Sequence, residues 1–417
     1  MPETPSFRVL IIGAGIGGLA LAHGLRRAGV PVEVYERDRS RTDRPQGYRL
    51  HINPAGGQAL RECLAPELFR TFVSTCGASP STMTFYTEQL NRLLAVDVEP
   101  GEGHRSVSRH TLRQVLLTGL ADVVHFGKTY RHYRQAADGT VTACFDDGTS
   151  ADGDLLIGAD GGGSPVRRQY LPHARRVDTG VCGIAGKVPI TAATRALVPA
   201  RVFDGPAVVN APGGLGVFLA AQQFQRPPGW LELDPVEDFI SWGLGAKRAK
   251  LPTEAELSSL DGLALRALVL EVIRGWHPHL RELVASTDPD AITATAIRSA
   301  EPVPAWPASP ITLLGDAIHS MTPARGVGAN TALRDAALLT RTLGAARRGE
   351  LSPIEAIGRY EAEMIRYGFD AVRASLRDLR QQTSIEGRAA LAMARFGLRV
   401  LDAVPPLKRR AFADLGR

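Results

Sequence analysis

The sequence predicts an α/β protein: a parallel sheet flanked by helices, a second mixed sheet inserted into it, and a helical C-terminus. Three observations predict it. An apolar, β-branched run opens directly onto a glycine-rich turn and a helical stretch. Two further apolar runs, residues 154–159 and 311–314, each end at a glycine–acid turn with a helix beyond. A turn-rich, strand-like stretch separates those two runs, and residues beyond 328 are helical.

Composition limits the class. The chain has 417 residues, enough for two or three domains or one large composite. Hydrophobic residues are 44% and charged residues 22%, the balance of a globular protein with a sizeable core, so disorder and a disulfide mini-scaffold are excluded. The net charge of +6 comes from 49 basic and 43 acidic residues with no dense basic stripe, and nucleic acid is not an expected partner. Cys63, Cys76, Cys144 and Cys182 are scattered and form no Cys-x-x-Cys pair. No metal site or redox dithiol is expected, and reduced thiols point to a cytoplasmic protein. No apolar run reaches the roughly 18 residues an integral membrane segment needs.

The elements follow in order. Arg8-Val-Leu-Ile-Ile12 reads as a buried strand, residues 19–28 as a helix closed by Gly29-Val-Pro31, and Val32-Glu-Val-Tyr-Glu36 as the next strand of one βαβ unit. Residues 47–62 read as a turn leading into a helix, and 83–86 and 93–98 as strands. A helix is expected over 108–120, capped by Ser108 or Thr111. Residues 123–126, 131–135 and 141–145 suggest a β meander turning at Asp138-Gly139 and Asp147-Gly148, followed by a buried strand at 154–159. Strands dominate 181–233, helices 253–285, and a strand 291–299. Residues 301–310 carry four prolines and read as a return linker. A last buried strand at 311–314 precedes the helix 328–343 and further helices, broken at Pro405-Pro406.

Three motifs carry chemistry. In Gly13-Ala14-Gly15-Ile16-Gly17-Gly18, the spacing Gly-x-Gly-x-x-Gly permits a tight turn, close approach to a pyrophosphate, and close helix–strand packing. The helix N-terminus offers free amides to phosphate, and Glu36, ending the next strand, is placed to grip ribose hydroxyls. A dinucleotide is expected; the motif alone does not separate NAD from FAD. The second motif, Gly158-Ala-Asp160-Gly161, ends a buried strand before a helix starting near Ser164. The third runs from Gly315-Asp316-Ala-Ile-His319 through Pro323, Gly326, Gly328 and Ala329 to Asn330. Its acid suits polyol hydroxyls, and its helix N-terminus suits a ring that becomes anionic on reduction.

With these three motifs in order, the chain resembles the single-component FAD-dependent aromatic hydroxylases, the para-hydroxybenzoate-hydroxylase-like monooxygenases. Within that group it is similar to bacterial antibiotic- and polyketide-pathway members and to tetracycline-inactivating monooxygenases. The resemblance covers nearly the whole chain, and Ser106-Val-Ser-Arg109-x-x-Leu112 adds to it. It implies a Rossmann-like FAD-binding domain of the GR2 type over 1–72, 97–175 and 290–365. It implies a substrate-binding domain with an inserted mixed sheet over 73–96 and 176–289, and a C-terminal helical segment over 366–417. The shortness of the chain beyond the third motif argues against the thioredoxin-like extension of larger members.

The resemblance also implies the reaction. NADPH or NADH reduces bound FAD, O2 adds to give a flavin C4a-hydroperoxide, and this hydroxylates or epoxidises an aromatic or polyketide-like small molecule in bacterial secondary metabolism, including antibiotic biosynthesis. Carried over by position, Gly13, Gly15 and Gly18 line the pyrophosphate and Glu36 the ribose. Arg37 lies beside the adenine, Arg109 by the pyrophosphate, and Asp160 supports the FAD turn. Asp316 reaches the ribityl or pyrophosphate region. Gly328, Ala329 and Asn330 follow the flavin's pyrimidine edge, and Pro323 flanks the ring. Arg49, within Gly47-Tyr48-Arg49-Leu50, abuts flavin or nicotinamide. Such an enzyme is expected as a monomer or homodimer.

The substrate side is less legible. Gln222, Gln223, Trp230, Trp242, Tyr86 and Arg201 are candidates for positioning substrate. Arg49, His51 and Gln223 are the candidate catalytic residues, and no general base stands out. Epoxidation and Baeyer–Villiger insertion remain variants on the same scaffold. The alternative from another class is a flavoprotein with structural FAD that acts as a non-redox cyclase or ligand-binding protein. A halogenase is disfavoured because Trp230, Trp242, Trp276 and Trp306 form no Trp-x-Trp motif.

Overall fold

The computed structural model describes residues 7–41, 48–97, 103–224, 233 and 237–412. Five strands form a wholly parallel sheet in the order Ile311–Leu313, Leu155–Gly158, Val9–Ile12, Val32–Tyr35, Val124–His125. Val9–Ile12 and Leu155–Gly158 are buried at every residue, as expected of strands covered on both faces. The helix Ile16–Arg27 packs on one side against the long helix Gly328–Arg347. Where they meet, a Cβ on Gly24 would collide with Thr340, so glycine lets the two axes approach.

The second sheet has seven strands, drawn from two stretches of chain. Their order is Thr293–Ala300, Arg176–Pro189, Phe239–Lys247, Leu215–Gln222, Ala207–Ala211, Thr82–Thr87, Arg92–Asp97. All neighbours are antiparallel except Ala207–Ala211 with Thr82–Thr87. Phe239–Lys247 shows the period-2 alternation of a sheet with one packed face. Ile240, Trp242 and Leu244 join Val269, Ile273 and Leu283, from the helices over 254–285, in a second hydrophobic core. The edge strand Arg92–Asp97 is blunted by the C-terminal helices. Asp402 accepts from the Ala95 amide at 3.1 Å, and Lys408 donates to its carbonyl at 3.0 Å.

Two expectations are corrected. Val124–His125 does not belong to the meander, because it pairs with Val32–Tyr35 and extends the parallel sheet. The meander is Tyr130–Gln135, Val141–Phe145 and Ser150–Gly153, with Asp147-Gly148 as its second turn. Second, the turn before the helix Pro54–Cys63 contains a strand, Arg49–Ile52, paired with Arg105–Ser108 in a two-stranded ribbon. Four-residue polar strands (RLHI and RSVS) carry too little periodicity to be seen in sequence. Ser108 precedes the helix Arg109–Leu117 but makes no side-chain cap; its hydroxyl is buried without a partner among the described residues.

Candidate active site

The first motif joins Val9–Ile12 to the helix Ile16–Arg27. Gly13 sits at φ +108°, and a Cβ there would lie 2.5 Å from the Ala159 carbonyl oxygen. Gly18 is pressed on the Gly13 carbonyl and Gly17 on Leu314, while Ala14 and Ile16 are buried. Gly15 differs: a Cβ on it would meet nothing nearer than Ala159 O at 4.0 Å. The fold itself needs the glycines at 13, 17 and 18. Gly15, the residue preceding the helix, leaves its N-terminal amides facing open space, where the helix dipole favours an anion.

Glu36 is buried beside this turn. Its carboxylate accepts from the Ala14 amide at 2.7 Å and from the Asp38 amide at 3.0 Å. Arg113 stands behind both. It donates to the Ala14 carbonyl at 3.1 Å and the Arg41 carbonyl at 2.9 Å, and pairs with Asp38 at 3.2 Å. Sequence reasoning missed Arg113; its one signal was a position one helical turn beyond Arg109. Arg109 donates its amide to Tyr48 O at 3.0 Å, and its guanidinium lies 5.7 Å from the Tyr48 ring centre. Arg37 is exposed. Gly47 lies outside the described residues.

The second motif is tied to the third. Asp160 accepts from the Val166 amide at 3.2 Å, while its other carboxylate oxygen is buried and unpartnered among the described residues. Burial pushes its carboxyl above the usual range. Ser164 caps the helix Pro165–Tyr170. Arg167 from that helix donates to Ala317 O at 2.6 Å and Gly162 O at 3.0 Å, joining the two acid turns.

In the third motif Asp316 is exposed, and a Cβ on Gly328 would lie 4.0 Å from its carboxylate. The turn is held from behind by Asp335, which accepts from the Gly315 amide at 2.8 Å, from His319 Nε2 at 2.6 Å and from the Tyr367 hydroxyl. Burial alone would depress the His319 imidazole. The charge of Asp335 and its hydrogen bond outweigh burial and hold it above the ordinary value. Pro323 and Gly326 are exposed, and Gly328 and Ala329 are half-buried, so this edge is open. Asn330 is buried, its carboxamide accepting from the Asn53 amide at 2.9 Å and donating to His51 O at 2.8 Å. It clamps the long helix to the ribbon strand.

The ribbon supplies a polar face. Arg49 opposes Ser108 and His51 opposes Ser106, which puts all four on one side. Arg49 is half-buried and its Nε has no partner among the described residues; burial pulls the guanidinium down to about 10. His51 Nε2 lies 3.1 Å from His104 Nδ1, with the rings stacked at 5.1 Å. Burial, Arg49 and His104 together lower His51 to about 4, so it is neutral at pH 7.

Gln222 reaches this junction from the large sheet. It is fully buried, and neither polar atom of its carboxamide has a partner among the described residues. Its Nε2 lies 2.7 Å from where a Gly77 Cβ would stand, with Ser106 Oγ at 3.0 Å from the same point. Gln223 is exposed instead. Trp242 and Tyr86 are buried on the opposite, helix-covered face, and the Trp242 indole donates to Thr287 at 2.9 Å. Arg201 is half-buried in the short helical turn Ala200–Val202. Trp230 lies outside the described residues. Among the described residues no cluster of His, Cys, Asp and Glu has the makings of a metal site, and no helix is long and apolar enough to cross a membrane.

Comparison with known proteins places this geometry. Residues 271–375 match the FAD binding domain family, and residues 11–55 the NAD(P)-binding Rossmann-like domain family. The dual O-methyltransferase/FAD-dependent monooxygenase elcB of Phaeosphaeria nodorum is 34% identical over 388 residues, covering 84% of this chain and 42% of that protein. The chain thus spans less than half the length of that relative. The FAD-dependent monooxygenase dbaB of Emericella nidulans is 30% identical over 357 residues, covering 82% of this chain and 88% of that protein. The crystal structure of Klebsiella pneumoniae HpxO complexed with FAD and uric acid superposes with a TM-score of 0.76 at 26% identity, covering 94% of this chain and 92% of that one. The chain belongs to the family of FAD-dependent monooxygenases and hydroxylases.

Proposed function

We propose that the protein is an NAD(P)H- and O2-dependent monooxygenase that hydroxylates or epoxidises an aromatic or polyketide-like small molecule in secondary metabolism. One observation carries this reading. Three strand-end turns distant in sequence converge around one edge, and that edge meets a face of unpaired polar groups from the ribbon and the large sheet.

The residues fit FAD. Gly15 keeps the helix N-terminus open to a pyrophosphate, Glu36 retains acceptor capacity for ribose hydroxyls, and Asp160 has an unpaired oxygen among the described residues. Gly13, Gly15 and Gly18 would hold the pyrophosphate, with Arg109 beside it and Arg37 toward the adenine. Asp316 would take the ribityl or pyrophosphate region. Pro323, Gly326, Gly328 and Ala329 would line the ring, with Asn330 fixing their helix. When bound, FAD supplies the passage of electrons from NAD(P)H to O2 and the transfer of one oxygen atom.

The chain's own groups do the rest. The guanidinium of Arg49 places positive charge beside the open edge, where it stabilises an anion. His51, uncharged at neutral pH, is able to exchange a proton without adding to the cationic field of Arg49. The second reading, structural FAD with non-redox chemistry, gains no observation from this geometry.

The test is addition of NADPH, then NADH, to the FAD-loaded protein under nitrogen, following the visible flavin band. Bleaching, alone or on addition of an aromatic ligand, followed by O2 uptake on admitting air, is the expected result. A band that persists across both nucleotides and a broad ligand panel would sink the monooxygenase reading. Asp316→Ala is expected to lower FAD retention or slow reduction; no change in either would remove that residue from the site.

A further inference from the structure

The helix Arg388–Ala403 lies along the edge strand Arg92–Asp97, and the short helix Pro405–Ala411 follows it. Its four polar residues, Arg388, Arg395, Arg399 and Asp402, recur at helical spacing and fall in one stripe along the axis. Part of that stripe is tied to the sheet. Arg395 pairs with Glu88 and donates to Asn210 O at 2.7 Å, and Asp402 holds the Ala95 amide. Leu391, on the flank of the stripe, is buried. The side opposite the stripe carries no polar side chain, and Met393, Phe396 and Val400 recur along it at the same spacing.

This apolar side has no cover within the protein. Met393 is 73% exposed and Phe396 68%, and Val404 and Leu407 continue the series as exposed residues. Among the described residues, half of the large hydrophobic side chains left exposed fall between 393 and 407. Single surface hydrophobes need no explanation, but a contiguous set of them marks an interaction surface.

The charge around the face says what covers it. Residues 388–412 hold six basic side chains and one acid, Asp402. Asp402, Arg395 and Lys408 are all engaged with neighbouring elements. Arg388, Arg399, Arg409 and Arg410 are left exposed, with no ion pair among the described residues. A second copy docked through the same face would set these arginines against themselves, with no free acid on either helix to answer them. A surface that offers apolar depth and negative charge together fits instead. On anionic lipid, Met and Phe side chains enter the acyl boundary while arginines at the margin reach headgroup phosphates.

We propose that the face formed by Met393, Phe396, Val400, Val404 and Leu407 docks the protein on a membrane surface rich in anionic phospholipid, with the four free arginines at the headgroups. The helix lies in the interface rather than across it: it has 16 residues, and no helix of the described residues is long and apolar enough to span. The proposal is independent of the reaction assigned above.

The experiment floats the FAD-loaded full chain with vesicles of phosphatidylcholine alone and of an equal mixture with phosphatidylglycerol. Wild type is expected to partition onto the anionic vesicles at least about tenfold more strongly, and to come off as salt is raised. Met393→Ser combined with Phe396→Ser should lose about tenfold or more. Arg409→Gln combined with Arg410→Gln should lose about tenfold on the anionic vesicles only. Leu263→Ser, at an exposed leucine of the helix Gly262–Val272, should bind like wild type. Phe396→Ala alone guards against misfolding, with melting temperature and flavin content read on the same samples. No partition of the wild type onto either vesicle, equal partition onto both, or wild-type binding by both paired variants would overturn the proposal. So would a wild-type dimer that the paired serine variant abolishes, since the face would then belong to a second copy.

Discussion

His319 Nε2 meets the Asp335 carboxylate at 2.6 Å, with both side chains closed off from solvent. Asp335 also accepts the Gly315 amide and the Tyr367 hydroxyl, so one carboxylate ties a strand-end turn to two helices. Asp335→Asn removes the charge that holds His319 above its ordinary value and weakens the acceptor shared by the Gly315 amide, His319 and Tyr367. It is expected to destabilise the fold by roughly 3–5 kcal/mol in urea unfolding and to loosen FAD. A loss under about 1 kcal/mol would show that the pair is not held as described.

His319, buried, and His51, half-buried, respond to pH in opposite directions. His319 is held above 6.5, so its contribution is fully present below 6.5 and fades as pH rises through its folded value. His51 is lowered to about 4, by burial first and then by Arg49 and His104. Between pH 6.5 and 4 the unfolded chain binds that proton and the folded chain does not, so stability falls on acidification. His51→Gln is therefore expected to gain in melting temperature relative to wild type as pH drops from 6.5 to 4. Parallel curves for the two proteins would remove His51 from the acid response.

Gly13 and Gly15 should behave differently though they belong to one motif. Gly13→Ala puts a Cβ at φ +108° against the Ala159 carbonyl. The backbone strain alone is of order 1–3 kcal/mol, so lowered thermal stability is expected. Gly15→Ala meets no protein atom closer than 4.0 Å and should fold like wild type while holding FAD about tenfold less tightly. Wild-type FAD affinity in Gly15→Ala would mean that the pyrophosphate does not approach this residue.

Arg49 has no ion-pair partner among the described residues. A half-buried guanidinium with an unpaired Nε costs solvation and gains no ion pair, so Arg49→Met should match or exceed wild-type thermal stability. The same variant is expected to slow ligand-stimulated flavin reduction. Melting several degrees below wild type would assign Arg49 to the fold instead.

Much of the cofactor side was legible because its information is local. The apolar run 9–12, the glycine spacing after it and the acid at 36 are each fixed by neighbours in sequence, and the structure forms them within a residue or two. The acid turns at 160 and 316 follow the same logic of a buried strand meeting a helix start. The sequence alone therefore determined the parallel sheet, the order of its motifs and the class of cofactor.

Only the tertiary structure decided what each polar side chain faces. Gln222 and Gln223 are adjacent and alike in chemistry, yet one is buried at the junction and the other exposed. A strand turns successive side chains to opposite faces, and which face is inward depends on pairing with Phe239–Lys247 far along the chain. Arg113 is central because elements separated by about a hundred residues meet at the Ala14 carbonyl. The alignment of Gly183, Gly245 and Gly216 likewise exists only through the register of three strands, and register is set by burying the face with Trp242 and Leu244, a long-range hydrophobic choice that no local pattern encodes.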